Sequence, residues 1–152
     1  MSAIRIYIDT SIVGGKFDPE FQKASLKFYE QVKGNKFRLI ISTLVQEEIA
    51  AAPKHVRKFF DELKADASLI EVTEPALKLR EAYLKANILS KKNSNDALHV
   101  ALATVNNCPI IVSWNFRHIV HYEKITLYNS INILEGYQQI AIYSPMEVIS
   151  YE

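Results

Sequence analysis

Three carboxylates and one carboxamide, Asp9, Glu48, Asp96 and Asn115, are spread along the 152 residues at places that an alternating strand-and-helix fold would gather. Carboxylates brought together repel one another and resist desolvation unless a cation neutralises them. Their hard oxygens select Mg²⁺ or Mn²⁺ over softer metals. Magnesium keeps several waters and is held by one or two carboxylates plus phosphate oxygens, so an acidic cluster with open positions suits phosphodiester cleavage. Asn115 would add a neutral carbonyl oxygen, or a hydrogen bond to a carboxylate or water, without adding charge.

Each residue taken singly has a plainer reading. Asp9 before Thr10-Ser11 at a strand end can cap a turn, Glu48 can be a solvated helix charge, and Asp96 can be a first-turn acid favoured by the helix dipole. Asn115 can be an ordinary turn residue. His99, three residues after Asp96, either orients that carboxylate or is a satisfied histidine on a buried helix. His118 and His121 lack a third soft ligand nearby, which favours surface histidines over a zinc site. Lys91, Lys92 and Arg117 flank the acidic positions and either steer phosphates or are simply solvated. Trp114 either stacks on a base or packs beside the last buried strand.

The elements that must position these residues follow from hydrophobic periodicity. Residues 4–9 alternate as a strand, placing Asp9 at its carboxyl end. Asp18-Pro19 reads as the start of a helix carrying Phe21, Ala24, Phe28 and Val32 and stopping at Gly34. Residues 38–42 read as a buried strand, and Thr43 as the cap of a helix holding Glu47 and Glu48 that ends near Pro53. A further helix bears Val56, Phe59, Phe60 and Leu63. Leu69–Val72 is a strand candidate, followed by a helix with Ala76, Leu79, Tyr83 and Ala86. Ser94 or Asn95 is expected to cap a buried helix from about Asp96 to Asn107 that feeds a strand at Pro109–Ser113. The tail has β-like pieces at 125–127, 131–134 and 140–149 and a helix start at Ser144-Pro145-Met146-Glu147. Alternating strands and helices predict an α/β fold, a mostly parallel sheet between two helical layers, whose sites form outside the carboxyl ends of the strands.

Composition sets outer bounds. Hydrophobic residues are 49% and charged residues 23% of the chain, ordinary globular values that predict one domain over 1–152. A net charge of +1, from 18 basic and 17 acidic residues, gives no global basic excess for nucleic-acid binding. A lone Cys108, no basic-then-apolar leader and only short apolar runs predict a cytoplasmic protein without a membrane span. Gly14-Gly15 is the lone glycine pair after the first strand, which disfavours a Gly-rich phosphate loop.

The runs Tyr7-Ile8-Asp9-Thr10-Ser11, Glu48-Ile49, Asn95-Asp96-Ala97-Leu98-His99-Val100-Ala101-Leu102-Ala103 and Val112-Ser113-Trp114-Asn115-Phe116, in this order, resemble a PIN domain. That is the three-layer α/β/α nuclease fold of VapC-type toxins. The resemblance covers almost the whole chain and implies a Mg²⁺- or Mn²⁺-dependent ribonuclease. It implies Asp9, Glu48 and Asp96 as metal ligands and Asn115 as a fourth, at a place where the family often has Asp, which leaves the number of metals open. Thr10 or Ser11 matches a hydroxyl that would bond the acidic cluster or a bound water. Glu48 rather than Glu47 matches because it directly precedes Ile49. A small antitoxin partner and a homodimer are further implications. The alternative from another class is a PIN-like binding or scaffold module with a weak or inactive site.

Overall fold

Parallel strands covered on both faces are built from nearly continuous runs of branched apolar residues, because neither side of the strand meets water. The computed structural model describes residues 3–151 and contains five strands: β1 (Ile4–Ile8), β2 (Phe37–Ser42), β3 (Ser68–Ile70), β4 (Ile110–Val112) and β5 (Ala141–Tyr143), the two at the sheet edges, β3 and β5, being short and partly exposed. All pair in parallel, in the order β3-β2-β1-β4-β5. The helices are α1 (Thr10–Gly15), α2 (Gln22–Lys33), α3 (Thr43–Ile49), α4 (Lys54–Ala65), α5 (Glu74–Lys85), α6 (Ser94–Val105), α7 (Tyr122–Leu134) and α8 (Pro145–Val148).

Side chains alternate across each strand and divide the core in two. Ile6, Ile8, Leu39, Ile41 and Val112 face a cluster with Ile12 and Val13 of α1, Phe28 of α2, Val45 of α3 and Phe60 of α4. Tyr7, Ile40, Ile111 and Ile142 face the other cluster, with Leu79 and Tyr83 of α5, Tyr128 of α7 and most of α6. Helix α6 is buried continuously from Ala97 to Thr104, as its all-round apolar sequence predicts. No helix among the described residues is long and apolar enough to cross a membrane.

The structure departs from the local sequence reading at five places. The chain after Asp9 turns at once into α1, whose six residues hold too few periodic positions to announce a helix and depend on burying Ile12 and Val13. Helix α2 starts at Gln22 instead of Pro19, because Asp18 spends its carbonyl on the Phe21 and Gln22 N–H groups and its Oδ1 on Glu20 N–H, forming a turn first. The cap of α3 is Ser42, whose Oγ accepts the Val45 N–H, and the residue flanking α6 is Asn93, reached through a 3-10 turn at Lys91–Asn93. The β-like pieces at 125–127 and 131–134 are one helix, α7. Its buried Tyr128 and Asn132 lie four apart, while exposed Leu127, Ile133 and Leu134 blur the helical period. Asn132 accepts from Tyr83 Oη and donates to Thr104 Oγ1, so a polar residue holds this helix to the core.

Candidate active site

The chain runs from β1 through β2 to β3 on one side, then crosses to β4 on the other side of β1, so the strand order reverses between β1 and β4. Ligands of open α/β sheets bind at that reversal, outside the carboxyl ends of the strands. The register pairs Ile8 with Val112, which makes Asp9 and Ser113 neighbours just past the two strand ends.

Asp9 is 4% exposed and both carboxylate oxygens are held, Oδ1 by Ser11 Oγ and Oδ2 by Ser113 Oγ, each at 2.6 Å. Both serines also accept a backbone donor, Ser11 from Trp114 N–H and Ser113 from Asn115 N–H, each at 2.8 Å. A hydroxyl has one proton to give, and in both serines it goes to Asp9. Burial pushes the Asp9 pKa above its ordinary value, the positive charge of His99 and the two hydroxyls pull it down, and repulsion from Asp96 adds to the rise. Asp96 lies partly buried in the first turn of α6, at the positive end of that helix.

Glu48 is held from a different direction. Thr10 Oγ1 and His99 Nε2 both reach its Oε1 at 2.7 Å, so Oε2 has no protein donor among the described residues. Burial alone would raise its pKa, but the hydrogen bond and charge of His99, with the Thr10 bond, leave it below the ordinary value. Glu47 is exposed. The His99 ring, 2% exposed, therefore turns across to α3 and Glu48, and its Nδ1 lies 2.8 Å from Tyr7 Oη, itself 2.8 Å from Ser42 Oγ.

Asn115 is chiefly engaged in its own turn. Its Oδ1 accepts His118 N–H at 2.9 Å and its carbonyl takes the Ile119 and Val120 N–H groups, which leaves one lone pair of Oδ1. Trp114 is 5% exposed, stacked on Phe21 with centroids 4.3 Å apart and bonded through Nε1 to Ser25 Oγ, so it belongs to the core. Gly15 backs onto it: a Cβ there would lie 2.5 Å from Trp114 Nε1. His118 and His121 are only partly exposed, and the Nδ1 of each is buried without a partner among the described residues. Lys91, Lys92 and Arg117 are exposed.

Sequence reasoning overlooked Ser113 and Tyr7 as parts of the site; of its two readings of His99, the satisfied histidine on a buried helix fits, with Glu48 and Tyr7 as partners. A signal for Ser113 existed: it ends the apolar run of β4 as Asp9 ends that of β1. Among the described residues no three His, Cys, Asp or Glu side chains converge closely enough to enclose a cation by themselves. The donor chemistry still suits Mg²⁺ or Mn²⁺, since all candidate donors are oxygens, such ions keep several waters, and the mutual repulsion of Asp9 and Asp96 is what a divalent ion relieves.

The PIN domain family model matches residues 6–123 of this acid-bearing sheet. The chain belongs to the PIN domain family. PIN domains are generally nucleases, and PIN nucleases generally use divalent metals. The structure of this PIN domain is similar to that of VapBC2 from Rickettsia felis bound to a DNA fragment from their promoter, with a TM-score of 0.61 and 14% identity over 93% of this chain and 98% of that one. It is also similar to FitAB bound to an IR36 DNA fragment, with a TM-score of 0.59 and 10% identity over 97% and 99% of the two chains. A looser likeness, TM-score 0.52 and 8% identity over 93% of this chain and 54% of the other, links it to tyrosyl-tRNA synthetase from Archaeoglobus fulgidus complexed with L-tyrosine. At these identities the likeness concerns the fold alone. No curated protein matches the PIN domain in sequence.

Proposed function

We propose that this PIN domain is a Mg²⁺- or Mn²⁺-dependent endoribonuclease and the toxin of a toxin-antitoxin pair, a single nuclease domain over 1–152 acting in the cytoplasm as a homodimer. The observation that carries the reading is the buried Asp9, locked by two serine hydroxyls at the sheet reversal and opposed by the charge of Asp96. Asp9, Glu48 and Asp96 would hold the cation, with the remaining lone pair of Asn115 assisting. When bound, the ion supplies Lewis-acid polarisation of a phosphoryl oxygen and lowers the pKa of water.

The chain's own part is preorganisation. Ser11 and Ser113 fix the Asp9 oxygens before substrate arrives, so little reorganisation is left for the reaction. Thr10 and His99 fix Glu48 through one oxygen and leave the other open to the cation. Lys91, Lys92 and Arg117, all exposed beside Asp96 and Asn115, attract the RNA backbone. The likeness to VapBC2 and FitAB supports a small antitoxin as partner.

Purified protein is expected to cut single-stranded RNA with Mg²⁺ and not with EDTA, and Asp9→Asn or Asp96→Asn to abolish cutting. Activity retained by either variant in a clean preparation overturns the assignment. Expression is expected to arrest growth, and a small protein from the adjoining reading frame to relieve it. A second reading, a binding module without catalysis, is favoured by the commitment of Asn115 Oδ1 to its turn. It predicts no Mn²⁺ binding at millimolar concentration.

A further inference from the structure

A chain of short polar contacts runs through His99 from the end of β2 to α3. An ionised Glu48 carboxylate only accepts, so His99 Nε2, 2.7 Å from Oε1, is the donor and carries the proton. On the other side of the ring Nδ1 lies 2.8 Å from Tyr7 Oη, which lies 2.8 Å from Ser42 Oγ, and that same Oγ accepts the Val45 N–H as the cap of α3. The chain of bonds thereby ties β1, β2 and α6 to the Glu48 carboxylate of α3.

The bonds are asymmetric at their far end. Thr10 and His99 both converge on Oε1, and Oε2 has no protein donor among the described residues. Tyr7 is fully buried and His99 nearly so, which leaves neither ring in position to touch substrate. We propose that His99, tied back to β1 through Tyr7, is a positioning residue that anchors Glu48 through Oε1 and so presents Oε2 to the divalent ion. This rests on the metal-dependent reading above. Residues that orient a metal-ligating carboxylate alter metal affinity by roughly 10–100-fold when removed.

The test reads Mn²⁺ binding by electron paramagnetic resonance on the full chain without RNA, beside thermal melts. His99→Leu keeps an apolar side chain and removes the donor, and its Mn²⁺ affinity is expected to fall at least about tenfold. His99→Gln, whose amide can reach Oε1, is expected to recover most of the loss, which a merely space-filling role for the ring would not produce. Tyr7→Phe frees the ring without changing its own shape and is expected to weaken Mn²⁺ several-fold; it decides the matter if the Leu variant does not fold. Wild-type affinity in His99→Leu or Tyr7→Phe, or a Gln variant no better than Leu, overturns the inference while the nuclease reading stands. An unmodified protein that binds no Mn²⁺ overturns both.

Discussion

Asp9 and Glu48 are both bonded to the start of α1, through Ser11 and Thr10, and are held in opposite ways. Asp9 is nearly inaccessible, both of its oxygens are bonded to serine hydroxyls, and its ionisation is opposed by burial and by Asp96. Glu48 has a side chain 29% exposed, is bonded through one oxygen only, and is stabilised in its ionised form by His99 and Thr10. On the proposed reading the difference separates two tasks: the fixed acid, whose charge is only partly compensated, would attract the cation, and the better compensated acid would offer it a free oxygen. Functional sites are where local stability is given up in this manner, and on that reading Asp9 would carry the cost.

The comparison breaks most readily at Asp9. Asp9→Asn and Glu48→Gln are both expected to lower Mg²⁺-dependent RNA cleavage by on the order of 10²-fold or more. Their stabilities should diverge: metal-free Asp9→Asn melts at or above the wild-type temperature, because an opposed charge is gone. Glu48→Gln melts lower, losing charge-assisted bonds together worth about 1–3 kcal/mol. Melting curves in EDTA decide this, and a destabilised Asp9→Asn paired with an unaffected Glu48→Gln would reverse the roles assigned to the two acids.

A smaller effect comes from the hydroxyl partners. Ser113→Ala leaves a buried Asp9 oxygen without a donor and the Asn115 N–H without its acceptor, for a loss of about 1–3 kcal/mol. Thr10→Ala removes one of two donors from a partly exposed Glu48 that keeps His99, and is expected to cost less than half as much by urea denaturation.

The pH dependence of the metal-free protein sharpens the same contrast. The raised pKa of Asp9 means that its contribution to stability is complete below the unfolded carboxyl value and is lost as pH rises through the folded value. The lowered pKa of Glu48 has the opposite sign: its contribution is complete above the unfolded value and is lost as pH falls through the folded one. Denaturation at a series of pH values is therefore expected to show Asp9→Asn flattening the decline toward neutral pH, and Glu48→Gln flattening the decline toward acid.

The legibility of these features follows the range of the forces behind them. β1, β2, β4 and α6 were readable because burial on both sides writes itself as an apolar run, and Asp9 was placed at a strand end by the alternation before it. Helix α1 was not readable, since its Gly14 and Gly15 argue locally against a helix and only packing against Trp114 explains Gly15. The Ser113 bond to Asp9 spans 104 residues and the His99 bond to Glu48 spans 51. Such bonds depend on sheet register and on the rotation of α6, neither of which a single sequence specifies. Closeness in sequence offered Asp96 as one partner for His99 beside the plainer reading of a satisfied buried histidine, and the ring in fact reaches Glu48 of α3.

The gentlest perturbation concerns Asn115, which has a foot in both readings of the site. Its Oδ1 accepts His118 N–H in the turn that follows β4, so Asn115→Ala forfeits a capping bond worth about 1 kcal/mol. Asn115→Asp keeps that bond, because the two side chains cap equally well, and its stability should stay within a few tenths of a kcal/mol of wild type. If the remaining lone pair assists the cation, the alanine variant needs more Mg²⁺ for half-maximal cleavage, by less than about tenfold, and the aspartate variant needs less. An unchanged Mg²⁺ requirement in both would confine Asn115 to its turn and leave Asp9, Glu48 and Asp96 as the whole ligand set. Because neither variant removes a bond to Asp9 or Glu48, a shift in the Mg²⁺ requirement without a matching loss of stability can be attributed to the Asn115 oxygen itself.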